Sequence, residues 1–292
     1  MPVLPCSFAD CLGLWAAQAG WVDTELTELG FSPGDQLEPS DLYPYDGMHY
    51  HGTDAVEHAI ATINLMESQS VLDIGSGLGG PARLMAKQTG CKVVALELQP
   101  DLSDQARGYT SRCGDLSELV RHTPGDILTC DLTSLGGGPK SFDHVTSWLA
   151  FLHIRDKHSL FSRCADMLKP GGTLYVEDFY ARGALSREER SMLAKDVYAR
   201  DLPSQEQMIA ALQAAGFGVE TAPVVWDDMT SSWSTFVYER LAAWEAAEER
   251  TLRVHGRGFF EDRRHFFQSM DTLLTGGNLG GVRLVAKLRG GM

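Results

Sequence analysis

Apolar positions along this chain change period repeatedly, and each change marks an element. Leu12 to Leu29 carry a helical pattern, and the stretch FSPGDQLEPSDLYPYDGMHYHG (31–52) breaks it with proline and glycine. That punctuation predicts an irregular segment, one whose tyrosines and histidines give it more chemistry than a tether needs. Ala55, Ile60, Ile63 and Met66 then recur at helical spacing over Thr53 to Met66, leading into a short buried strand at Ser70 to Ile74. In GSGLGGPARLMAKQTG, Pro81 fits a first helical turn and Gly90 a helix end, and Lys92 to Leu96 return as a second strand. Strand, glycine turn, helix and strand follow at the spacing of one βαβ unit.

The alternation persists downstream. Leu119 to His122, Phe142 to Ser147 and Gly172 to Phe179 read as the third, fourth and fifth strands. A helix over Asp156 to Leu168 precedes the fifth and is stopped by Pro170-Gly171-Gly172. Another helix is expected over Arg187 to Ala199; Ser204 with Gln207 forms a capping box for the next, and Gly216 ends it. Gly218 to Val225 and Val282 to Leu288 complete the set, separated by aromatic and charged helices of 233–270. The expected fold is α/β: a doubly wound, Rossmann-like seven-stranded sheet with its last two strands antiparallel. Its expected parts are an N-terminal helix and lid (1–55), a core (56–225), an inserted helical cap (226–275) and a final strand (276–292).

Composition narrows the class. With 43% apolar and 22% charged residues in 292, the chain is globular and able to bury a large core. Thirty-nine acidic against 25 basic residues give a net charge of −14, which repels a phosphate backbone, and the basic run near Arg250 to Arg257 is interrupted by other residues. No nucleic-acid partner is expected. Cys6, Cys11, Cys91, Cys113, Cys130 and Cys164 form no CxxC pair, which predicts reduced thiols and a cytoplasmic location. No run approaches the roughly 20 apolar residues of a membrane span, so no stable membrane association is expected. A homo-oligomer stays open.

VLDIGSGLGG (71–80) carries the chemistry. Gly75 and Gly77 clear the backbone for a nucleotide-like ligand and Gly79 lets the next helix pack closely, a pattern that also suits a dinucleotide. Asp73 precedes the glycines, where a carboxylate anchors a cationic tail but repels a pyrophosphate. Glu97 ends the second strand, placed to accept two ribose hydroxyls, and Asp126 follows the third, placed for an adenine amino group with Ile127 against the ring.

These segments, with SWLAFLHI (147–154) and DKHSLFSRCADMLKPGGTLYVEDFYA (156–181), resemble the class I S-adenosylmethionine-dependent methyltransferases of small molecules. Among them the resemblance is to the phosphoethanolamine and the glycine, sarcosine and dimethylglycine N-methyltransferases. It implies S-adenosyl-L-methionine as cofactor, held by Asp73, Gly75, Gly77, Glu97, Leu98, Asp126, Ile127 and Ser147. It implies His153 as the residue that orients and deprotonates an amine, with Tyr50 as its partner, and Trp148 and Arg200 on the acceptor. The acceptor would be a small polar metabolite of amino acid, betaine-precursor or phospho-base type. The chain departs from that family beside Arg200, where Asp196 and Leu202 stand in place of phosphate-ringing tyrosines. His49, His51 and His153 lack a supporting ligand cluster, so no metal is expected. An NAD-linked oxidoreductase and a cofactor-binding protein without turnover are the alternative readings.

Overall fold

The fold is a seven-stranded sheet in the order β3-β2-β1-β4-β5-β7-β6. The computed structural model describes residues 20–136, 138–218 and 223–290. The strands are β1 (Ser70–Ile74), β2 (Lys92–Glu97), β3 (Val120–Pro124), β4 (Phe142–Trp148), β5 (Leu168–Ala181), β6 (Val225–Asp228) and β7 (Leu279–Lys287). β1 to β5 run parallel, and β7 is antiparallel to both β5 and β6. The chain winds outward from β1 through β2 to β3, then returns to β4 on the other side. That reversal opens a crevice beyond the carboxyl ends of β1 and β4.

Helices cover both faces. They are α1 (20–28), α2 (Pro39–Asp46), α3 (Gly52–Ile63), α4 (Gly80–Thr89), α5 (Pro100–Ser111), α6 (Leu116–Leu119), α7 (Lys157–Met167), α8 (Arg187–Asp196), α9 (Gln205–Ala214), α10 (Thr230–Ala246) and α11 (Glu248–Thr275). Because alternate strand residues point to opposite faces, Leu72 and Val145 pack on one side with Leu160 of α7 and Leu212 of α9. Val71 and Val93 pack on the other with Leu42 of α2 and Met85 of α4. A third cluster joins Tyr50, Phe179 and Leu279 to Trp233 of α10 and Leu273 of α11.

Several expectations need correction. The stretch expected to be irregular contains α2, which Pro39 and the Glu38–Asp41 capping box start and which holds Pro44 inside it. β5 begins at Leu168, so Pro170-Gly171-Gly172 is a bulge within the strand; pairing with β4 passes from Phe142↔Leu168 to His144↔Thr173 across it. β7 begins three residues before Val282. Its Gly280-Gly281 reads as a breaker, yet a Cβ there would lie 2.4 Å from the Tyr180 ring and 2.2 Å from Trp233. The sixth strand falls at Val225–Asp228, an edge strand with too little burial to leave an apolar signal, whereas 219–222 of the expected span lie outside the described residues. Residues 12–19 of the expected first helix, Cys6 and Cys11 also lie outside them. Among the described residues no helix is long and apolar enough to cross a membrane.

Candidate active site

The crevice is a cavity of about 410 Å³, entered over the carboxyl ends of the central strands. Asp73, Gly75, Gly77, Glu97, Leu98, Asp126, Ile127, Tyr50, Trp148 and His153 all line it. The glycine turn is held by its own strand neighbours. Gly75 has φ +73°, and a Cβ there would come within 2.2 Å of Ala150, so the turn and the end of β4 fit against each other only without that atom.

Each acid meets different surroundings. Asp73 is 1% exposed; its Oδ1 accepts from Thr146 Oγ1 at 3.1 Å, while its Oδ2 is buried and has no partner among the described residues. Burial raises its pKa to about 7, with the Thr146 bond opposing and the nearby Glu97 charge adding to the rise. A buried acceptor that lacks a donor is costly, which makes this oxygen a seat for a cation or donor brought by a ligand. Glu97 accepts from the backbone N–H of Gly77 at 2.9 Å and of Gln99 at 3.0 Å. It thus holds the glycine turn as well as facing the cavity, and burial raises its pKa against those backbone bonds. Asp126 closes its own turn, accepting from Leu128 N–H at 2.8 Å, with Ile127 buried beside it.

The opposite wall comes from the segment after β4. A short 3₁₀ turn, Phe151–His153, presents His153. Its Nδ1 lies 3.4 Å from the Tyr198 carbonyl oxygen, and since a carbonyl only accepts, Nδ1 carries the proton and Nε2 keeps a lone pair. Burial pushes its pKa below the ordinary value, which favours the neutral ring. Lys157 holds the turn from behind by donating to the carbonyls of Phe151 and Ile154. Tyr50 is 6% exposed and sits 4.7 Å from the Trp233 ring and 6.0 Å from Phe179, among aromatics rather than against His153.

Two expected residues stand outside the lining. Ser147 donates to the Ile74 carbonyl at 2.8 Å, joining β4 to β1 beneath the cavity. Arg200 is exposed and is not part of the lining. The lining instead includes residues that the sequence did not single out for the site: Met48, Leu149, Ala150, Val197, Tyr198 and Phe266. Leu149 and Ala150 belong to the SWLAFLHI segment, beside its more conspicuous Trp148 and His153; the other four are apolar or aromatic and are brought in by a turn or by α11, not by a motif. His49 was noticed only as a metal candidate; it lines the cavity 5.9 Å from the Trp148 ring, with burial lowering its pKa. Asp46, from the same segment, pairs with buried Arg83 at 2.6 Å, and Arg83 also donates to the Leu78 carbonyl of the glycine turn at 2.7 Å. His51 contacts Ser232 at 2.9 Å, and among the described residues no cluster of three potential ligands has metal-binding geometry.

Residues 72–176 match the family model described as a methyltransferase domain. The chain is 27% identical over 212 residues to phosphoethanolamine N-methyltransferase 1 of Zea mays, covering 72% of this chain and 40% of that one. It is 29% identical over 171 residues to sterol 24-C-methyltransferase of Candida albicans, covering 56% and 44%. The chain therefore spans less than half the length of these curated relatives. Its fold is similar to that of phosphoethanolamine N-methyltransferase 2 of Haemonchus contortus, with a TM-score of 0.75 at 21% identity over 84% of this chain and 55% of that one.

Proposed function

For a chain whose residues 72–176 form a methyltransferase domain in a class I fold, we propose that the cavity binds S-adenosylmethionine and directs its methyl group to the nitrogen of a small-molecule acceptor. The observation that carries this reading is Asp73, a buried carboxylate at the glycine turn with one oxygen lacking a partner among the described residues. An α-ammonium group fits that oxygen in charge and in hydrogen-bonding sense, whereas a dinucleotide pyrophosphate does not.

When bound, S-adenosylmethionine supplies an electrophilic methyl group on a sulfonium. Asp73 and the glycine turn hold the amino-acid end, Glu97 and Leu98 the ribose, and Asp126 with Ile127 the adenine. Ser147 keeps β4 in register beneath them through its bond to Ile74. On the acceptor side, His153 Nε2 takes the proton of an ammonium so that the nitrogen lone pair is free, and Nδ1 stays bonded to Tyr198. Trp148 and Tyr50 offer aromatic faces to a methylated ammonium, each worth about 0.5–2 kcal/mol when well placed. Residues 20–55 and the α10–α11 pair act as lid and cap on the core that begins at residue 56, while β7 closes its sheet; alignment and exclusion of water supply most of the rate.

The test is calorimetric titration with S-adenosylhomocysteine, NADH serving as the competing ligand class. One site for the first and none for the second is expected. Glu97→Ala should weaken binding by about 1.5–3 kcal/mol, the scale of charge-assisted bonds. A folded Glu97→Ala protein with undiminished affinity would overturn the ribose assignment.

A further inference from the structure

We infer, resting on the reading just given, that the acceptor is an amine with an apolar body and no phosphate or carboxylate group. Away from the glycine turn, the cavity lining includes the apolar and aromatic side chains of Trp148, Leu149, Phe179, Val197 and Phe266. Such a wall rewards burial of hydrocarbon and leaves a strongly hydrated group without partners.

The charges in the lining have one sign. Asp46, Asp73, Glu97, Asp126 and Asp196 line the cavity, and among the described residues no lysine or arginine does. Asp46 is neutralised by Arg83, and the next three surround the proposed cofactor position. Asp196, at the end of α8, is the carboxylate left on the acceptor side. Its Oδ2 accepts from Ser269 at 2.7 Å and its Oδ1 lies 3.3 Å from His265 Nε2, which fixes the group while leaving it lone pairs for a ligand.

Nearby cations are turned elsewhere. Lys157 spends its ammonium on the Phe151 and Ile154 carbonyls, and Arg200 is exposed outside the lining. A phosphate here would be desolvated beside carboxylates with no guanidinium or ammonium to meet it. Neutral His49 and His153 do not supply that charge, because burial disfavours their protonated forms. Amino acids, carboxylate-bearing betaine precursors and phospho-bases all carry the anionic group this wall rejects. An ammonium directed at Asp196, with its carbon skeleton against the aromatic wall, meets complementary surfaces on both counts.

The inference is tested with four probes of one carbon skeleton, hexylamine, hexanol, hexanoate and hexyl phosphate, titrated into protein saturated with S-adenosylhomocysteine. Hexylamine should bind at least about tenfold more tightly than either anion. In Asp196→Asn, which keeps an oxygen for Ser269, the preference for hexylamine over hexanol should fall severalfold with S-adenosylhomocysteine affinity unchanged. Either anion binding as well as hexylamine would overturn the inference, as would binding of phosphoethanolamine when no hexyl probe binds or a failure of all five. An unaltered amine preference in Asp196→Asn would remove Asp196 as the charge that selects it. Failure of S-adenosylhomocysteine itself to bind is a separate result and overturns the cofactor reading instead.

Discussion

Asp73 keeps one oxygen bonded to Thr146 and the other buried without a donor, and the cost of that arrangement is measurable. Its folded-state pKa of about 7 lies above the ordinary 3.8, so between those values the folded protein keeps a proton that the unfolded chain has released. The Asp73 contribution to the stability of the ligand-free protein therefore falls as pH rises through this window and levels off above it. Asp73→Asn removes that contribution. The variant should gain on the native protein as pH rises from 4 to 7, by at most about 1.4 kcal/mol per pH unit, in urea unfolding without ligand. Asp178, also raised to about 7 by burial, is common to both proteins and cancels in the difference. Parallel stability curves would show that Asp73 is already satisfied. At His153 the expectation is kinetic: His153→Ala should leave S-adenosylhomocysteine affinity within a few fold and lower kcat by about 10- to 1000-fold. The deficit should shrink as pH approaches the acceptor's own pKa, where the amine deprotonates unaided. A deficit constant with pH would make His153 a positioning residue. These positions were legible because charge next to a glycine turn, or an imidazole after a strand, stands out against apolar neighbours. Arg200, by contrast, is exposed and outside the cavity lining, because nearness to the site in sequence does not set where an arginine faces.

At the scale of elements, α2 ties the segment before the core to the glycine turn through Asp46 and Arg83. Arg83 is fully buried and also bonds Thr110 at 3.0 Å, so removing its charge strands Asp46 in the interior. Arg83→Met should cost about 3–5 kcal/mol, and Asp46→Asn combined with it should recover part of the loss. Urea unfolding of the two variants checks this; a loss below about 1 kcal/mol in Arg83→Met would mean that water reaches the pair. β1 and β2 were readable because buried parallel strands are apolar runs, here Val71-Leu72 and Val93 to Leu96. α2 was hidden by its prolines, and the start of β7 by glycines that make room for Tyr180 and Trp233. Local composition signalled breaks there because the reason for each residue lies in a distant partner.

Across the whole molecule, the sheet order places the turn after β1 and the segment after β4 on either side of one crevice, which is why residues 80 positions apart in sequence (Asp73 and His153) line a single cavity. The class of fold was legible from the alternation of elements alone. The acceptor wall was not, since Val197 reaches it from just past the end of α8 and Phe266 from α11, a packing that no local pattern encodes. The net charge of −14 acts at this scale too, disfavouring polyanionic partners while leaving cationic small molecules unopposed. The central claim is transfer of a methyl group, and the most direct measurement is mass spectrometry of a metabolite extract incubated with the protein and methyl-labelled S-adenosylmethionine. A labelled amine product is expected, absent with Asp73→Asn and diminished with His153→Ala. Tight cofactor binding with no labelled product in any extract would contradict it and make the chain a binding protein without turnover.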